Sequence, residues 1–338
     1  MNKNFIKACV IGGGSWGSAF AIHLGQDNIE TRLWIREKEV YEEALRYREN
    51  KTFLPGSVFP SSVSFFNDLE EAIDKTEILF IAVPSKFCRS IYEIIAPSLS
   101  SDQIVVSLTK GIEENSLKRM SEIMDEVFNP SSKPYIAVLS GPSFAREVAD
   151  SHPTAVVVSS KDQEISKKIQ HLISNVYFRA YTTDDIVGVE LAGALKNITA
   201  IATGISSGLE FGYNSIAALI TRGITEIMRL GVKLGARAET FSGLAGIGDL
   251  VLTCTGHLSR NRYVGYELGK GKRLGEIVAG MKMIAEGITT TVSAHQLAKE
   301  TGVEMPISEE VYQILYKNKD PRAAFQHLMS RKLKDEFR

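Results

Sequence analysis

The chain has 338 residues, more than one hydrophobic core usually serves, so two domains are the first expectation. Hydrophobic residues make up 44% and charged residues 23%, which excludes a disordered or fibrous chain, and a formal charge of −1 supplies no field that would gather nucleic acid or an anionic membrane surface. Three cysteines without a CxxC pair and six histidines without HExxH spacing support neither a disulfide framework nor a metal site, and make a reducing cytoplasm the expected compartment.

Met1 to Lys7 runs straight into a first strand that is polar-bounded and too short for a signal sequence, and no stretch is expected to supply the ~18 to 20 apolar residues of a membrane span. That strand, Lys7 to Ile11, ends in Gly12-Gly13-Gly14-Ser15-Trp16-Gly17. Gly12, Gly14 and Gly17 have the spacing of a dinucleotide loop, in which glycines make the tight turn, let the backbone approach a pyrophosphate and let the next helix pack on the strand. A helix from Ser15 to about Gly25 would turn its free N–H groups and positive dipole end toward bound phosphates. Alone the pattern is weak, and its context decides.

That context follows. Strands are expected at Thr31 to Ile35, Val63 to Phe66, Ile78 to Val83, Ile104 to Leu108 and Tyr135 to Leu139, with Thr154 to Val158 and Tyr177 to Tyr181 extending the sheet. Alternation with helical stretches favours right-handed crossovers and a mostly parallel sheet, an α/β fold whose ligand crevice lies beyond the carboxyl ends of the strands. The loops there are Ala82-Val83-Pro84-Ser85, Thr109-Lys110-Gly111 and Ser140-Gly141-Pro142-Ser143. From about Asp184 the chain reads as helical. Two long segments, 188–208 and 214–236, are rich in small residues that allow close helix approach, within one chain or across a homodimer; shorter helices are expected around Leu274 to Met281, Thr289 to Lys299, Ser308 to Tyr316 and Pro321 to Arg331.

Several polar residues stand where chemistry is expected. Arg36 ends the second strand, where a basic residue can accommodate a 2′-phosphate and so admit NADP, while the adjacent Glu37 keeps NAD open. Lys110 either binds an anionic or carbonyl oxygen, lowers the pKa of a neighbouring amine, or is a solvated loop lysine. Lys196 sits in the otherwise apolar or small-residue run 190–199; either it snorkels at a helix edge, or it is desolvated with a depressed pKa fit for acid–base work near neutrality. Gly243 to Leu250 lacks the GKS or GKT of a Walker loop, but its Asp249 could orient an amine or a substrate hydroxyl; Arg260 could pair with phosphate, with Ser259 and Asn261 as neutral donors.

Together the blocks GGGSWG at 12–17, AVPS at 82–85, TKG at 109–111, LSGPSFAREV at 139–148, ELAGALKN at 190–197, GLAGIGDL at 243–250, SRN at 259–261 and AEG at 285–287 resemble the bacterial NAD(P)-dependent glycerol-3-phosphate dehydrogenase family, in order and through most of the chain. The resemblance implies a Rossmann-type dinucleotide-binding domain over 1–184, then an all-α domain over 185–338 like the C-terminal domain of 6-phosphogluconate dehydrogenase. It implies NADP or NAD as cofactor and reversible conversion of dihydroxyacetone phosphate to sn-glycerol 3-phosphate, a phospholipid precursor. By motif, Ser15, Trp16, Arg36, Lys110 and Ala145 would contact the cofactor, and Arg260, Ile284 and Glu286 would close on its nicotinamide side. Lys110, Gly141, Ser143, Asp249, Ser259, Arg260 and Asn261 would contact substrate, and Lys196 would be the proton acceptor in oxidation, with Lys110 assisting. The competing readings are another dehydrogenase of this architecture, acting on a hydroxyacid or an acyl-CoA, and a cofactor-binding regulator without catalysis.

Overall fold

The computed structural model describes residues 6–281, 283 and 285–336. Eight strands form one sheet: β1 (Lys7–Ile11), β2 (Glu30–Trp34), β3 (Val63–Phe66), β4 (Ile78–Ile81), β5 (Ile104–Ser107), β6 (Tyr135–Ser140), β7 (Thr154–Ser160) and β8 (Phe178–Thr183). Their order is β3-β2-β1-β4-β5-β6-β7-β8, and every neighbouring pair is parallel except β6 with β7. The exception follows a turn at Gly141, where φ is +135°.

Seven helices accompany the sheet: α1 (Ser15–Gln26), α2 (Lys38–Tyr47), α3 (Leu69–Ile73), α4 (Ser85–Ile95), α5 (Met120–Val127), α6 (Ala145–Ala149) and α7 (Gln163–Ile173). They leave the central strands buried on both faces, which is why those strands read as continuous apolar runs. Successive side chains still alternate: Ala8 and Val10 join the cluster around Phe20 of α1, whereas Cys9 and Ile11 join the one around Tyr92 of α4 and Ile123 of α5. All three cysteines are buried and unpaired.

The remaining chain is helical: α8 (Ile186–Gly208), α9 (Tyr213–Lys233), α10 (Asp249–Thr255), α11 (Arg260–Gly269), α12 (Leu274–Ala279), α13 (Glu286–Thr301), α14 (Pro306–Lys317) and α15 (Pro321–Met329). Contrary to the expectation from sequence, α8 is long and apolar enough by composition to cross a membrane; 94% of its most apolar window is buried inside the protein, so it serves as the core helix. Its small residues are used within the chain. A Cβ on Gly204 would stand 2.1 Å from the Arg262 carbonyl oxygen, and one on Gly265 would stand 2.0 Å from that of Ile201. The two backbones therefore touch, and α8 and α11 are held in a single register.

The halves are also clasped at Glu190 of α8. Its carboxylate accepts from Arg119 Nη1 at 2.6 Å, from the Ser121 backbone N–H at 2.8 Å and from the Ser121 hydroxyl at 2.5 Å. Burial pushes its pKa up, and the Arg119 charge and the Ser121 hydrogen bonds act in the other direction.

Candidate active site

A cleft of about 880 Å³ opens between the carboxyl ends of the parallel strands and the helices α8, α10, α11 and α13. Its size and its position at the strand ends suit a cofactor with a small substrate.

At one end lies the glycine loop. Gly12 has φ +126°, and a Cβ there would stand 2.7 Å from the Ala82 carbonyl oxygen. A Cβ on Gly17 would stand 1.9 Å from the Gly12 carbonyl oxygen, so this residue lets α1 close onto its strand. Gly14 is different: nothing lies within 4 Å of where its Cβ would be, and it lines the cleft. No side chain caps α1 after it, so the first-turn N–H groups remain for a ligand. The Trp16 indole Nε1 lines the same end, buried and without a partner among the described residues. An open cradle at a helix N-terminus and an orphaned donor beside it fit a dinucleotide diphosphate. Ser15 also lines the cleft, its hydroxyl donating to the Phe53 carbonyl at 2.6 Å.

Arg36 stands past the end of β2 with its side chain 57% exposed. Its guanidinium pairs with Glu37 at 2.7 Å and lies 4.9 Å from the centre of the Phe87 ring. Cation and carboxylate thus share the place where the adenosine end of a cofactor would lie.

The other end is built around one carboxylate. Asp249 opens α10, and its side chain is 1% exposed. One oxygen accepts from Lys110 Nζ at 2.7 Å, and the other accepts from Lys196 Nζ. Lys110 comes from the loop after β5 and Lys196 from the middle of α8, so the pairing joins the two halves of the chain. A Cβ on Gly193 would stand 2.6 Å from Ser140 Oγ; its absence lets α8 press on the end of β6 and bring Lys196 inward. Lys196 also donates to Thr253 Oγ1 at 2.8 Å, and Lys110 donates to the Gly141 carbonyl at 2.9 Å. The same carbonyl accepts from the Ser143 hydroxyl at 2.9 Å.

These contacts set the charges. Burial pulls the Lys196 ammonium down to about 8; Asp249 opposes the fall, and the like charge of Lys110 adds to it. For Asp249, burial pushes upward, but the two lysines outweigh it and hold the carboxyl below its ordinary value. An ammonium whose pKa is drawn toward neutrality therefore lies beside a carboxylate held in its charged form.

Beyond the lysines, Ser259 caps α11 by accepting from the Arg262 N–H at 3.2 Å, which places Arg260 and Asn261 in the first turn of that helix. Arg260 faces the cleft at a positive helix end, an arrangement suited to an anion. The Asn261 amide is already engaged: Oδ1 accepts from the Gly287 N–H at 2.9 Å, and Nδ2 donates to Asn197 Oδ1 at 2.9 Å. Glu286, at the start of α13 and next to Gly287, also lines the cleft.

Of the residues singled out from sequence, Gly12, Gly14, Ser15, Trp16, Arg36, Lys110, Ser143, Ala145, Lys196, Ser259, Arg260, Asn261 and Glu286 line this one cleft. Gly17, Gly141 and Asp249 stand behind its wall and hold lining residues in place. Ile284 lies outside the described residues. Sequence reasoning overlooked Thr253 and gave Asn197 no role. Thr253 could have been found by its spacing, one helical turn after Asp249 and on the same face.

Comparison with known proteins agrees with this geometry. Residues 7–166 match the family model for the NAD-dependent glycerol-3-phosphate dehydrogenase N-terminus, and residues 185–326 match that for the C-terminus. The chain is 49% identical to "Glycerol-3-phosphate dehydrogenase [NAD(P)+]" of Syntrophobacter fumaroxidans, over 97% of this chain and 96% of that one. It is 50% identical to the protein of the same name from Citrifermentans bemidjiense, over 98% of each. A crystal structure of glycerol-3-phosphate dehydrogenase from Coxiella burnetii superposes with a TM-score of 0.93 at 38% identity, covering 96% of this chain and 99% of that one. A D-mandelate dehydrogenase at 13% identity, with a TM-score of 0.64, shares the fold alone. A Rossmann-type domain joined to a helical domain, matched by both halves of one family, places the chain: it belongs to the NAD-dependent glycerol-3-phosphate dehydrogenase family and is an oxidoreductase that uses NAD(P).

Proposed function

We propose that the protein reversibly reduces dihydroxyacetone phosphate to sn-glycerol 3-phosphate in a reducing cytoplasm, supplying the glycerol backbone of phospholipids. The observation that carries the reading is the Asp249 carboxylate bridging Lys110 and Lys196 inside a cleft whose other end is a glycine loop at a helix N-terminus. The bound nicotinamide supplies the hydride in reduction and accepts it in oxidation.

The chain's own residues do the rest. Gly12, Gly14, Ser15, Trp16 and Gly17 shape the diphosphate cradle, Arg36 serves the adenosine end, and Ala145, Arg260 and Glu286 flank the nicotinamide side. Arg260, at the N-terminus of α11, holds the substrate phosphate, with Ser259 and Asn261 setting the helix start and Ser143, bonded to the Gly141 carbonyl behind it, on the wall of the cleft. Holding a small substrate by its phosphate supplies the remote binding energy that orients its carbonyl. As charge grows on the carbonyl oxygen, the protonated Lys196 stabilises it and donates the proton; in oxidation the neutral amine takes the proton back. Lys110 polarises the same oxygen and keeps Lys196 acidic by charge repulsion.

The test follows reduced-nicotinamide absorbance with dihydroxyacetone phosphate, in parallel NADPH and NADH reactions. Rapid loss of absorbance is the expected result. Cofactor binding without turnover would leave a different hydroxyacid, or a regulator, as the reading.

A further inference from the structure

Ser85, which no motif assigns to either ligand, is 4% exposed at the first position of α4. That helix has no side-chain cap of its own. A carboxylate from the other half of the chain takes the place of one: Glu286 accepts from the Ser85 backbone N–H at 3.2 Å and from its hydroxyl at 2.6 Å. An anion at a helix N-terminus is favoured by the free N–H groups and by the dipole. The fit leaves no slack. A Cβ on Gly111, the residue after Lys110, would stand 2.5 Å from Ser85 Cβ and 3.1 Å from Glu286 Oε2. Three elements drawn from both halves therefore meet at one point.

From that point a hydrogen-bonded path runs into the substrate end. Glu286 is followed by Gly287, whose N–H donates to Asn261; Asn261 donates to Asn197; and Asn197 follows Lys196 on α8. In the other direction α4 lines the dinucleotide end of the cleft through Phe87, Ser90, Ile91 and Ile94. One small contact thus ties a wall of the cofactor site to the helix that carries the proton donor.

We propose that Ser85 is a positioning residue: its hydrogen bonds to Glu286 lock α13 onto α4 and couple the two ligand sites, so that cofactor binding raises affinity for the phosphorylated substrate, and the reverse. The proposal rests on the reading given under Proposed function. Because the clasp joins a wall of each ligand site, a ligand that stiffens one wall stiffens the other, and the second ligand meets a site already ordered. The coupling is reciprocal by necessity.

The test uses NADPH and sn-glycerol 3-phosphate, both reduced, so that no reaction follows binding. Calorimetric titration gives the Kd of NADPH with and without saturating sn-glycerol 3-phosphate, for wild type, Ser85→Ala and Gly111→Ala, with thermal melts to establish folding. In the wild type the second ligand is expected to tighten the first by roughly fivefold or more. In Ser85→Ala that ratio falls toward one while NADPH alone binds within about twofold of wild type. Gly111→Ala, which wedges the same clasp from the opposite side, gives the same loss and serves if Ser85→Ala does not fold. An unchanged ratio in a folded variant, or a ratio of one in the wild type, overturns the coupling while wild-type turnover leaves the proposed function standing. Absence of both turnover and sn-glycerol 3-phosphate binding in the wild type defeats that reading, and the coupling with it.

Discussion

Lys196 and Asp249 form an ion pair almost wholly withdrawn from water, with side chains 7% and 1% exposed. Burial holds the Lys196 pKa at about 8, so with Lys196 as the proposed proton donor ketone reduction should be level at low pH and lose kcat/KM as pH rises through that value. Oxidation of the alcohol, which needs the neutral amine, should show the mirror image. Asp249 raises the Lys196 pKa, so Asp249→Asn should move the reduction limb to lower pH. A pH profile of kcat/KM for the two proteins checks the sign; an unmoved limb separates Lys196 from the titration.

Replacing Lys196 by Ala removes the proposed proton donor without touching the glycine loop. NADPH binding should stay within about twofold, and turnover should fall by roughly 10² to 10⁴. Fluorescence titration and steady-state rates on one preparation separate the two quantities. Equal turnover by the variant removes Lys196 from the mechanism.

Arg36 is free enough to swing between Glu37 and a phosphate, since its side chain is exposed and its ion pair is on the surface. Arg36→Ala should lower kcat/KM for NADPH by about tenfold or more, the worth of a charge-assisted hydrogen bond, and leave NADH nearly unaffected. The observable is the ratio of the two values, and a constant ratio sinks the assignment.

The contact of α8 with α11 sets how far Lys196 and Asn197 stand from Arg260 and Asn261. Gly204→Ala would place a methyl against the Arg262 carbonyl, so it should cost ~1–3 kcal/mol and lower turnover as the two helices are forced apart. Gly275→Ala is the control: nothing lies within 4 Å of its Cβ, and in α12 it should be neutral or stabilising by ~0.5–1 kcal/mol. Denaturant melts of both variants give the comparison.

Glu226 of α9 is 4% exposed and accepts from the Ile307 and Ser308 N–H groups at 2.8 and 3.2 Å, at the start of α14. Burial raises its pKa from 4.5 to about 7, against the pull of those hydrogen bonds. A folded-state pKa above the unfolded one contributes stability that is complete below about pH 4.5 and is lost as pH rises through about 7. Thermal midpoints measured from pH 5 to 8 should therefore fall more steeply for the wild type than for Glu226→Gln, which has no proton to lose. Parallel slopes would contradict the assignment.

Much of the fold is legible residue by residue. Lys7–Ile11, Val63–Phe66 and the glycine loop between β1 and α1 can be read from their local pattern, and so can the change to helix near Asp184. Boundaries shift by a residue or two where neighbours decide them: β2 starts at Glu30 because it pairs with Lys7, and β4 stops at Ile81, where Ala82 to Pro84 leave the sheet to line the cleft. The buried lysine of α8 also shows in the sequence, as a charge in an apolar run.

The sequence by itself determined the periodicities, the glycines and the polar residues in unexpected places, because strand and helix spacing are local properties of the backbone. Only the tertiary structure decided which of those residues meet. Lys110 and Asp249 are 139 positions apart, and their pairing depends on how α8 lies on β6 at Gly193 and on α11 at Gly204 and Gly265. The use of the Asn261 amide to hold Asn197, the hydroxyl of Thr253 beneath Lys196, and the reach of Glu286 to Ser85 arise in the same way. Such contacts carry no local signal: each is a hydrogen bond that exists only after close packing has brought two distant backbones to a fixed separation.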